Sequence, residues 1–573
     1  MAIFNRQKFE KIAVQVPEKF GWAIALLAGI LMGLTTAPVN AWLLAWVALV
    51  PLWVLVVGYE QPKQVKIQKF LVLPLFWGIG YHGLALSWIM GIHPMTWLGV
   101  PWWPSLAIAL FCWAFITLWG SALVAVWAWL FVIFNSLSFR GKIHLFHSPL
   151  VKGGDLHSPP LQGGAGGGKS QFSGLIRVLI GTALWCALES FWSQSSLWWT
   201  SLSYTQSPHN LAILHLGQLS GPSAVTAAIV AVNGLIAEAY LERRRTPPYP
   251  PQGGKSETTG NNLILYILPA SLCLVLHIAG WSLYNRPLTQ EAGTELKIGI
   301  IQGNIPNDIK FDSNGWRRAL EGYTAGYQKL ADKGVDAVLT PETALPFFWT
   351  NEYQRSTLSF YQAILDRGVL AWVGGFGQQE DSITNSLFAI DKTGKIISRY
   401  DKTKLVPLGE YIPFYELLGG IINRLSPLDA HLIPGNSQQL FDTPFGRAIV
   451  GICYDSAFAE IFRYQAAKGG EFMLTASNNA HYKPPMLAQH HALDVMRAIE
   501  TDRWAAIATN TGYSAFVNPH GETVWMSGIN TYEVQDATIY RRQTQTLYVR
   551  WGDRLTPLLL ILAGLGIIWQ KIA

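Results

Sequence analysis

Three residues in the C-terminal half of the chain have side chains that together could transfer an acyl group through a thioester. Glu342 lies in the motif TPETALP, Lys402 in YDKTKLVPLGEY and Cys453 in GICYDSAF. A thiolate can attack a carbonyl carbon, a carboxylate can take the thiol proton, and an ammonium can stabilise the oxyanion that forms. The three motifs therefore predict a nucleophile, Cys453, a general base, Glu342, and an oxyanion donor, Lys402.

Each of these residues also has an ordinary structural explanation. An isolated cysteine is most often a packed core residue, a glutamate after proline often begins a helix, and a lysine in a Lys-rich turn is usually solvated. Cys112, Cys186 and Cys273 lie inside long apolar runs and fit the first explanation. Cys453 follows the buried-strand pattern AIVGI and precedes polar residues, so its thiol is expected at the end of a strand rather than within a core. Because the other two residues also follow predicted strands, their joint occurrence favours catalysis.

The strands that must position these residues are predicted in the region 295–545. Short β-rich runs, several of them bounded by turn residues, occur at 296–306, 335–342, 369–377, 386–391, 448–455, 472–479 and 505–512. Helix-like stretches at 316–332 and 486–501 lie between some of these runs. Strands that alternate with helices predict an α/β sandwich, and about 250 residues suffice for one compact domain whose strand-end loops carry the site.

The rest of the chain is too apolar for a soluble protein. Of its 573 residues, 50% are hydrophobic and only 14% are charged, and 25 are tryptophan, so membrane spans are expected. A spanning helix needs about 20 mostly apolar residues. Eight stretches qualify: 20–38, 41–58, 69–92, 102–134, 175–193, 209–238, 262–284 and 555–571.

The distribution of lysine and arginine between these stretches predicts their orientation. Basic residues occur in the N-terminal segment and in the second, fourth and sixth loops, whereas the short odd-numbered loops, 38–41, 93–101 and 194–208, contain none. Positive residues are retained on the cytoplasmic side, so the N-terminus is expected inside and the region 286–550 outside the cytoplasm. The stretches 157–171 and 246–257 share a Pro-Pro and Gln-Gly-Gly pattern and are expected to be flexible cytoplasmic linkers.

The three motifs resemble the Glu-Lys-Cys triad of the nitrilase superfamily of carbon-nitrogen hydrolases. Within that superfamily, the placement of the domain between seven spans and an eighth is similar to the apolipoprotein N-acyltransferases. The motifs that carry this resemblance are PETALP, LVPLGEY, GICY, ATNTG, RWGD and, in the membrane half, ALESFWSQSSLWWTSLSYTQ. The resemblance covers nearly the whole chain. It implies a multi-pass α-helical membrane domain joined to an extracytoplasmic nitrilase-like α-β-β-α sandwich.

The resemblance also implies domain limits and a reaction in two stages. Residues 1–285 would hold seven transmembrane helices, residues 286–550 the catalytic domain, and residues 551–573 a C-terminal transmembrane helix. A phospholipid acyl chain would pass to the cysteine and then to the N-terminal amine of a diacylglyceryl-cysteine on an apolipoprotein. Glu410 would be a second glutamate that helps to position the catalytic lysine, and Tyr454 would flank the nucleophile.

The location implied by the resemblance is the bacterial plasma (inner) membrane, with a cytoplasmic N-terminus and a periplasmic catalytic domain. The partners that it implies are a phospholipid acyl donor, a diacylglyceryl apolipoprotein acceptor and the bilayer. No cofactor, metal or nucleic acid is expected.

Some residues depart from the pattern of the family. Asp455 stands where glutamate is usual, and Lys404 stands where histidine is common. The stretch SNNAHYK differs from the family's Ser-Asn-Asp-Ala-Trp-Phe-Gly at Asn479, His481 and Lys483. These differences concern the choice of lipid or acceptor rather than the triad.

Three further residues have polar side chains in apolar or helical settings. Glu189 lies near the outer end of a predicted span, where a carboxylate is costly, and therefore indicates a polar contact. His490 and His491 lie on a predicted helix with no metal-ligand partner at suitable spacing, so surface or packing roles are favoured over metal binding.

Two other functions are compatible with the sequence. A membrane-tethered amidase of the nitrilase type would use the same three residues but would admit water in place of an amine. A transporter or receptor would only bind a ligand in its outer domain. The complete Glu-Lys-Cys set and the lack of a discernible inverted repeat among the spans disfavour this second alternative.

Overall fold

The N-terminal half of the molecule is helical. The computed structural model describes residues 20–58, 67–96, 99–139, 166–245, 259–411 and 432–572. The helices of this half are Gly21–Gly33, Val50–Gly58, Ile67–Ala85, Trp102–Phe139, Gly166–Trp192, Leu211–Leu214, Gly217–Ser220, Pro222–Arg245 and Thr259–Tyr284, and the C-terminal helix Leu555–Ile572 packs against them. Shorter 3-10 helices cover Trp42–Trp46, Ser87–Ile92 and Leu202–Gln206.

Within the described residues, five helical segments are long and apolar enough to cross a membrane. They are Trp102–Ser136, Ser173–Trp192, Pro222–Arg244, Tyr266–Tyr284 and Leu555–Ile572. The predicted spans 20–38, 41–58 and 69–92 coincide with shorter apolar helices, Gly21–Gly33, Trp42–Gly58 and Leu71–Ala85.

The predicted span 209–238 is interrupted in the structure. Gly221 has a φ of 67°, and Pro222 begins the long helix that follows. Glycine adopts this left-handed backbone without strain, and proline is favoured at the first position of a helix. Residues 211–220 therefore form two short helices instead of the first turns of one span.

Of the two stretches predicted to be linkers, only residues 166–171 of the first belong to the described part of the chain. Residues 157–165 and 246–257 lie outside the described residues. The helix Gly166–Trp192 begins inside the first stretch, so the prediction of a flexible linker is wrong for residues 166–171.

The region after residue 294 forms two six-stranded sheets. The strands are β1 (Glu295–Gln302), β2 (Ala337–Leu339), β3 (Leu370–Gln379), β4 (Ser382–Ile390), β5 (Ile396–Asp401), β6 (Phe441–Thr443), β7 (Gly446–Ile452), β8 (Gly470–Ser477), β9 (Ala505–Thr509), β10 (Ala515–Val517), β11 (Thr523–Met526) and β12 (Glu533–Tyr540). The strand orders are β12-β1-β2-β3-β4-β5 and β11-β10-β9-β8-β7-β6. The helices are Ser313–Asp332, Glu352–Ser356, Ser359–Arg367, Ala459–Ala467, Pro484–Thr501 and Leu547–Trp551.

The two sheets face each other across one apolar core. Ile298 and Trp372 from the first sheet and Val450 and Phe472 from the second lie in this core, each fully buried. Amphipathic helices cover the outer face of the first sheet. On the helix Ser313–Asp332, for example, Tyr323 and Tyr327 are spaced about one helical turn apart and both pack inward. Strands covered on both faces are apolar throughout, which explains the predicted β-rich runs. The predicted sandwich of two sheets flanked by helices is therefore confirmed.

A second apolar core is shared by the membrane half and the catalytic half. It contains Trp77 and Ile229 from the membrane helices, Met496 from the helix Pro484–Thr501, and Ile449 and Met473 from β7 and β8. Burial of apolar surface stabilises this contact by about 25 cal/mol for each Å² removed from water. The sheet that contains β7 and β8, together with the helix Pro484–Thr501 that covers it, therefore packs on the membrane half.

Candidate active site

Glu342, Lys402 and Cys453 each lie at or just beyond the end of a strand. Lys402 directly follows β5, Cys453 directly follows β7, and Glu342 lies three residues after β2. The exposed fractions of the three residues are 4% for Glu342, 2% for Lys402 and 5% for Cys453. The fold thus gathers a carboxylate, an ammonium and a thiol in one buried place, although β7 belongs to a different sheet from β2 and β5.

Glu342 is held by three donors. Lys402 Nζ lies 2.8 Å from Glu342 Oε1, and the amide of Asn385 donates to the same oxygen at 2.7 Å. The backbone N–H of Asn478 donates to Oε2 at 2.7 Å. Burial opposes ionisation, but the Lys402 charge and these hydrogen bonds outweigh it and lower the pKa of Glu342. Glu342 is therefore a carboxylate at neutral pH and can accept a proton.

Lys402 lies between two glutamates. Its Nζ is 2.9 Å from each carboxylate oxygen of Glu410 as well as 2.8 Å from Glu342. Burial opposes the charge, but Glu342 and Glu410 outweigh it and raise the pKa of Lys402 well above its usual value. Glu410 is fixed in turn by the backbone N–H of Val406 at 2.8 Å. The position predicted for Glu410, beside Lys402, is the one observed.

Cys453 begins the 3-10 helix Cys453–Ala457, which we call the nucleophile turn. Its φ is 49°, a left-handed conformation that costs a side-chain-bearing residue on the order of 1 kcal/mol. Burial, together with the charge of Glu342, raises the pKa of the Cys453 thiol well above its usual value, although Lys402 opposes the increase. The thiol is therefore protonated at neutral pH, so that attack on a carbonyl needs a base.

Asp455 anchors the nucleophile turn to the end of β5. Its carboxylate accepts hydrogen bonds from the backbone N–H of Ile452 at 3.0 Å and of Lys404 at 2.8 Å, and from the Tyr400 hydroxyl at 3.2 Å. Burial raises the pKa of Asp455 to about 6. The side chain is fully buried. The residue that departs from the family pattern here therefore makes a structural contact between the nucleophile turn and the end of β5.

Tyr454 connects the nucleophile turn to the loop 194–208 of the membrane half. Its hydroxyl lies 2.8 Å from the carbonyl oxygens of both Ser196 and Trp198, so its single proton can be donated to either of them. Its ring stacks on Trp199, with the ring centroids 5.9 Å apart. The residue predicted to flank the nucleophile is therefore held by the membrane half.

Glu189, on the helix Gly166–Trp192, forms hydrogen bonds with the same loop. Its carboxylate accepts hydrogen bonds from the Ser201 hydroxyl at 2.7 Å, the Leu202 N–H at 2.8 Å, the Thr226 hydroxyl at 2.8 Å and the Trp185 indole at 3.0 Å. The predicted polar contact of Glu189 is thus a set of four donors. Two of them, Ser201 and Leu202, belong to the loop 194–208, so Glu189 connects this loop to the helices that carry Trp185 and Thr226.

Lys310 is a buried cation of the site that the sequence did not single out. Its Nζ lies 3.2 Å from the Glu342 carbonyl oxygen and 3.3 Å from the Thr343 hydroxyl. Burial lowers the pKa of Lys310 to about 8, although the charge of Glu342 opposes the decrease. Lys310 lies eight residues after the end of β1 and outside the three motifs, so no local signal marked it as a site residue.

The two histidines, for which surface or packing roles were predicted, are both packed in the interior. His490 is 2% exposed and His491 is 8% exposed, because the helix Pro484–Thr501 is packed between its sheet and the membrane half. His491 Nε2 lies 2.9 Å from the Thr523 hydroxyl oxygen. Among the described residues, no group of three or more His, Cys, Asp or Glu side chains could hold a metal ion.

Both halves of the chain match families of known proteins. The profile of the carbon-nitrogen hydrolases matches residues 297–548, and that of the apolipoprotein N-acyltransferase N-terminal domain matches residues 28–235. Among solved structures, an amidase from Nesterenkonia sp. is 18% identical with a TM-score of 0.35, over 48% of this chain and 98% of that one.

Relatives of known name align along almost the full length. The apolipoprotein N-acyltransferase of Nostoc sp. is 54% identical over 544 residues, which are 94% of this chain and 98% of that protein. The apolipoprotein N-acyltransferase of Synechocystis sp. is 45% identical over 546 residues, again 94% and 98% of the two chains. Because this similarity spans the helical half and the two-sheet half alike, the chain belongs to the apolipoprotein N-acyltransferase family.

Proposed function

We propose that the protein transfers an acyl chain from a phospholipid, through a thioester on Cys453, to the N-terminal amine of a diacylglyceryl-cysteine on an apolipoprotein. The observation that carries this proposal is the buried ion cluster of Glu342, Lys402 and Glu410 beside a protonated thiol. In this arrangement Glu342 is the general base, Lys402 the oxyanion donor and Cys453 the nucleophile. Glu410 positions Lys402, and Tyr454 holds the nucleophile turn.

The first half-reaction forms the thioester. Glu342 takes the thiol proton while Cys453 Sγ attacks the ester carbonyl carbon of the phospholipid, and the negative charge that develops on the carbonyl oxygen is stabilised by Lys402. The new S–C bond remains when the ester C–O bond breaks. The glycerol oxygen leaves with the proton held by Glu342, so that a lysophospholipid departs and Glu342 is again a carboxylate.

The second half-reaction forms the amide. The α-amine of the acceptor attacks the thioester carbonyl carbon, and the same ammonium of Lys402 stabilises the oxyanion. The C–N bond forms and the C–S bond breaks, while Glu342 carries the amine proton to the departing sulfur of Cys453. The net change is one ester converted into one amide, and the enzyme returns to its starting state.

The donor and the acceptor are both membrane-anchored, which fits the contact between the site and the membrane half. Tyr454, next to the nucleophile, bonds to the loop 194–208, and this loop follows the apolar helix Ser173–Trp192. In this proposal the acyl chain approaches Cys453 from the side of the membrane half. Exclusion of water from the thioester is what separates a transferase from the amidase alternative.

The membrane arrangement is part of the same proposal. The eight apolar stretches, including those with shorter helices, form a membrane domain of residues 1–285 with seven segments and a final segment within 551–573. The catalytic domain of residues 286–550 lies on the periplasmic face of the bacterial inner membrane, and the N-terminus lies in the cytoplasm. The absence of lysine and arginine from the odd-numbered loops supports this orientation.

Product analysis tests the proposed reaction. Purified protein in phospholipid vesicles is mixed with a synthetic peptide that begins with diacylglyceryl-cysteine, and the products are weighed by mass spectrometry. We expect one acylated peptide for each lysophospholipid and almost no free fatty acid, and no product with Cys453→Ala. Continuous release of fatty acid without acylated peptide would favour the amidase alternative. If neither acylated peptide nor fatty acid forms, the result would favour a binding protein.

A further inference from the structure

We propose that His490 is a positioning residue of the active site, which acts with Asn479 to fix both the Cys453 thiol and the peptide bond that follows Cys453. This inference rests on the proposed role of Cys453 as the nucleophile. His490 lies on the helix Pro484–Thr501, and both His490 and Asn479 are almost fully buried, with exposed fractions of 2% and 1%.

The contacts of His490 define its tautomer. Its Nε2 lies 3.0 Å from the Cys453 carbonyl oxygen, and its Nδ1 lies 3.2 Å from the Asn479 side-chain nitrogen. A carbonyl oxygen only accepts hydrogen bonds, so Nε2 must carry a proton and donate it. In a neutral ring Nδ1 is then an acceptor, which requires the Asn479 amide to donate to it. One imidazole therefore fixes two groups at once.

The first of these groups is the Asn479 amide. Because its nitrogen faces His490, its oxygen faces the nucleophile, and Asn479 Oδ1 lies 3.9 Å from Cys453 Sγ. The thiol can therefore donate to an uncharged acceptor that holds the sulfur in place. Burial and, after it, the carboxylates of Glu342 and Glu410 already raise the pKa of Cys453. An aspartate at position 479 would add a further negative charge, so asparagine positions the thiol without this penalty.

The second group is the peptide bond between Cys453 and Tyr454. A trans peptide points its C=O and N–H in opposite directions, so a carbonyl held by His490 turns the Tyr454 N–H away from the helix Pro484–Thr501. The first N–H groups of a helical turn have no partner within that turn. The Tyr454 N–H is therefore placed to donate, together with Lys402, to an oxyanion formed on the carbon that Cys453 attacks.

The helix Pro484–Thr501 connects this contact to the membrane half. Gln489, next to His490, accepts hydrogen bonds from the indole N–H groups of Trp88 at 3.1 Å and Trp199 at 2.9 Å. Its amide donates to the carbonyl oxygens of Ala37 at 3.0 Å and Ala85 at 2.9 Å. Four bonds to three membrane-half segments fix the helix turn that carries His490. The orientation of the nucleophile thus depends on the docking of the two halves.

Two substitutions separate the contacts of His490. The side-chain nitrogen of glutamine can occupy the place of Nε2, so His490→Gln keeps a donor to the Cys453 carbonyl oxygen. The shorter asparagine can reach only the place of Nδ1, so His490→Asn keeps a partner for Asn479 and loses that donor.

His491→Gln is the matched control, because His491 is buried on the same helix and bonds to Thr523 instead. Asn479→Leu removes the acceptor beside the thiol and also the donor to His490 Nδ1, while the imidazole itself is kept.

The measurement is the rate at which vesicle phospholipid acylates Cys453 in the absence of acceptor, followed by intact-protein mass spectrometry. We expect His490→Asn to slow acylation roughly 10²-fold, as the loss of one oxyanion donor does, with an unchanged KM for phospholipid. His490→Gln should retain most of the rate, His491→Gln all of it, and Asn479→Leu should slow acylation about tenfold. Thermal unfolding of each variant establishes that it is folded.

Three outcomes would overturn the inference. His490→Asn could acylate at the wild-type rate, the two His490 variants could lose equal activity, or His491→Gln could lose as much as His490→Asn. If the His490 variants do not fold, an unchanged rate in Asn479→Leu overturns it. A wild-type protein that never carries an acyl group overturns the proposed function and this inference with it, whereas a normal wild type beside a normal His490→Asn overturns the inference alone.

Discussion

The Lys402 ammonium lies 2.8 Å from the Glu342 carboxylate, and both side chains are almost fully buried. Charges in such a place require their partners, because removal of one member of a buried pair typically costs about 3–5 kcal/mol. The pair therefore constrains both the chemistry and the stability of the site.

The charge of Lys402 must be compact to serve its proposed role. Lys402→Arg keeps the charge but spreads it over a planar fork that does not match the site. We expect the rate of peptide acylation to fall by roughly 10²-fold or more. Lys404→His is the matched control, because only the backbone N–H of Lys404 bonds to Asp455 while its ammonium lies over the Phe458 ring. Near-normal turnover of Lys402→Arg would contradict the role assigned to Lys402.

We expect Lys310 to set an alkaline limit on activity. Its pKa is lowered to about 8 by burial, to which the charge of Lys402 adds, although the charge of Glu342 opposes the decrease. The ammonium is charged below this pKa and neutral above it, so its support of the Glu342 carboxylate is present at pH 7 and is lost as the pH rises through 8. We expect kcat/KM to decline above about pH 8 in the wild type.

Lys310→Arg tests this assignment, since a guanidinium stays charged throughout the range. The decline near pH 8 should then disappear, even if the overall rate is lower. Lys329→Arg, which changes a lysine on the helix Ser313–Asp332 away from the site, should keep the wild-type profile. A pH profile that is the same in Lys310→Arg and in the wild type would show that Lys310 does not set the limit.

Tyr454→Phe tests the contact between the nucleophile turn and the membrane half. The substitution keeps the ring that stacks on Trp199 but leaves the carbonyl oxygens of Ser196 and Trp198 without this donor. A buried polar group without a partner costs about 1–3 kcal/mol. We expect a lower melting temperature and an acylation rate reduced about tenfold.

Tyr353→Phe provides the control for this substitution, because Tyr353 is 83% exposed. It should change neither the melting temperature nor the rate. If Tyr454→Phe behaves like Tyr353→Phe, the loop 194–208 does not support the nucleophile turn.

The proposed orientation is tested by the labelling of single reporter cysteines. A reagent that cannot cross membranes should label a thiol placed within 311–315 in intact cells and should miss a thiol placed within 157–171. Both thiols should be labelled after the membrane is permeabilised. The reverse pattern would contradict the periplasmic position of the catalytic domain, and with it the modification of exported lipoproteins.

Much of the catalytic fold could be predicted because its central strands are buried on both faces. The runs that became β1, β3 and β8 are buried along most of their length. The strands β5, β6, β10, β11 and β12 lie outside the predicted runs. The strands β6 and β10 have only three residues each, and β5, β11 and β12 are largely half-buried or exposed, so none of them has the long buried pattern that the prediction relied on.

The site could be predicted only where its residues share a local signal. Glu342, Lys402 and Cys453 lie in short motifs just beyond predicted strands. Asn385, inside β4, and His490, inside a helix, become site residues only when distant segments meet. In the membrane half, Gly221 and Pro222 form a dipeptide that marks a break, and this signal should have interrupted the predicted span 209–238.

The central claim is that Cys453 carries the acyl chain between donor and acceptor. Protein incubated with phospholipid alone should gain the mass of one acyl chain on Cys453, because the first half-reaction needs no acceptor. Hydroxylamine should remove this mass, the acceptor peptide should discharge it as an amide, and Cys453→Ser should lack the labile adduct. If intact-protein mass spectrometry finds no acyl mass on the wild type while acylated peptide still forms, transfer does not pass through Cys453 and the account is contradicted.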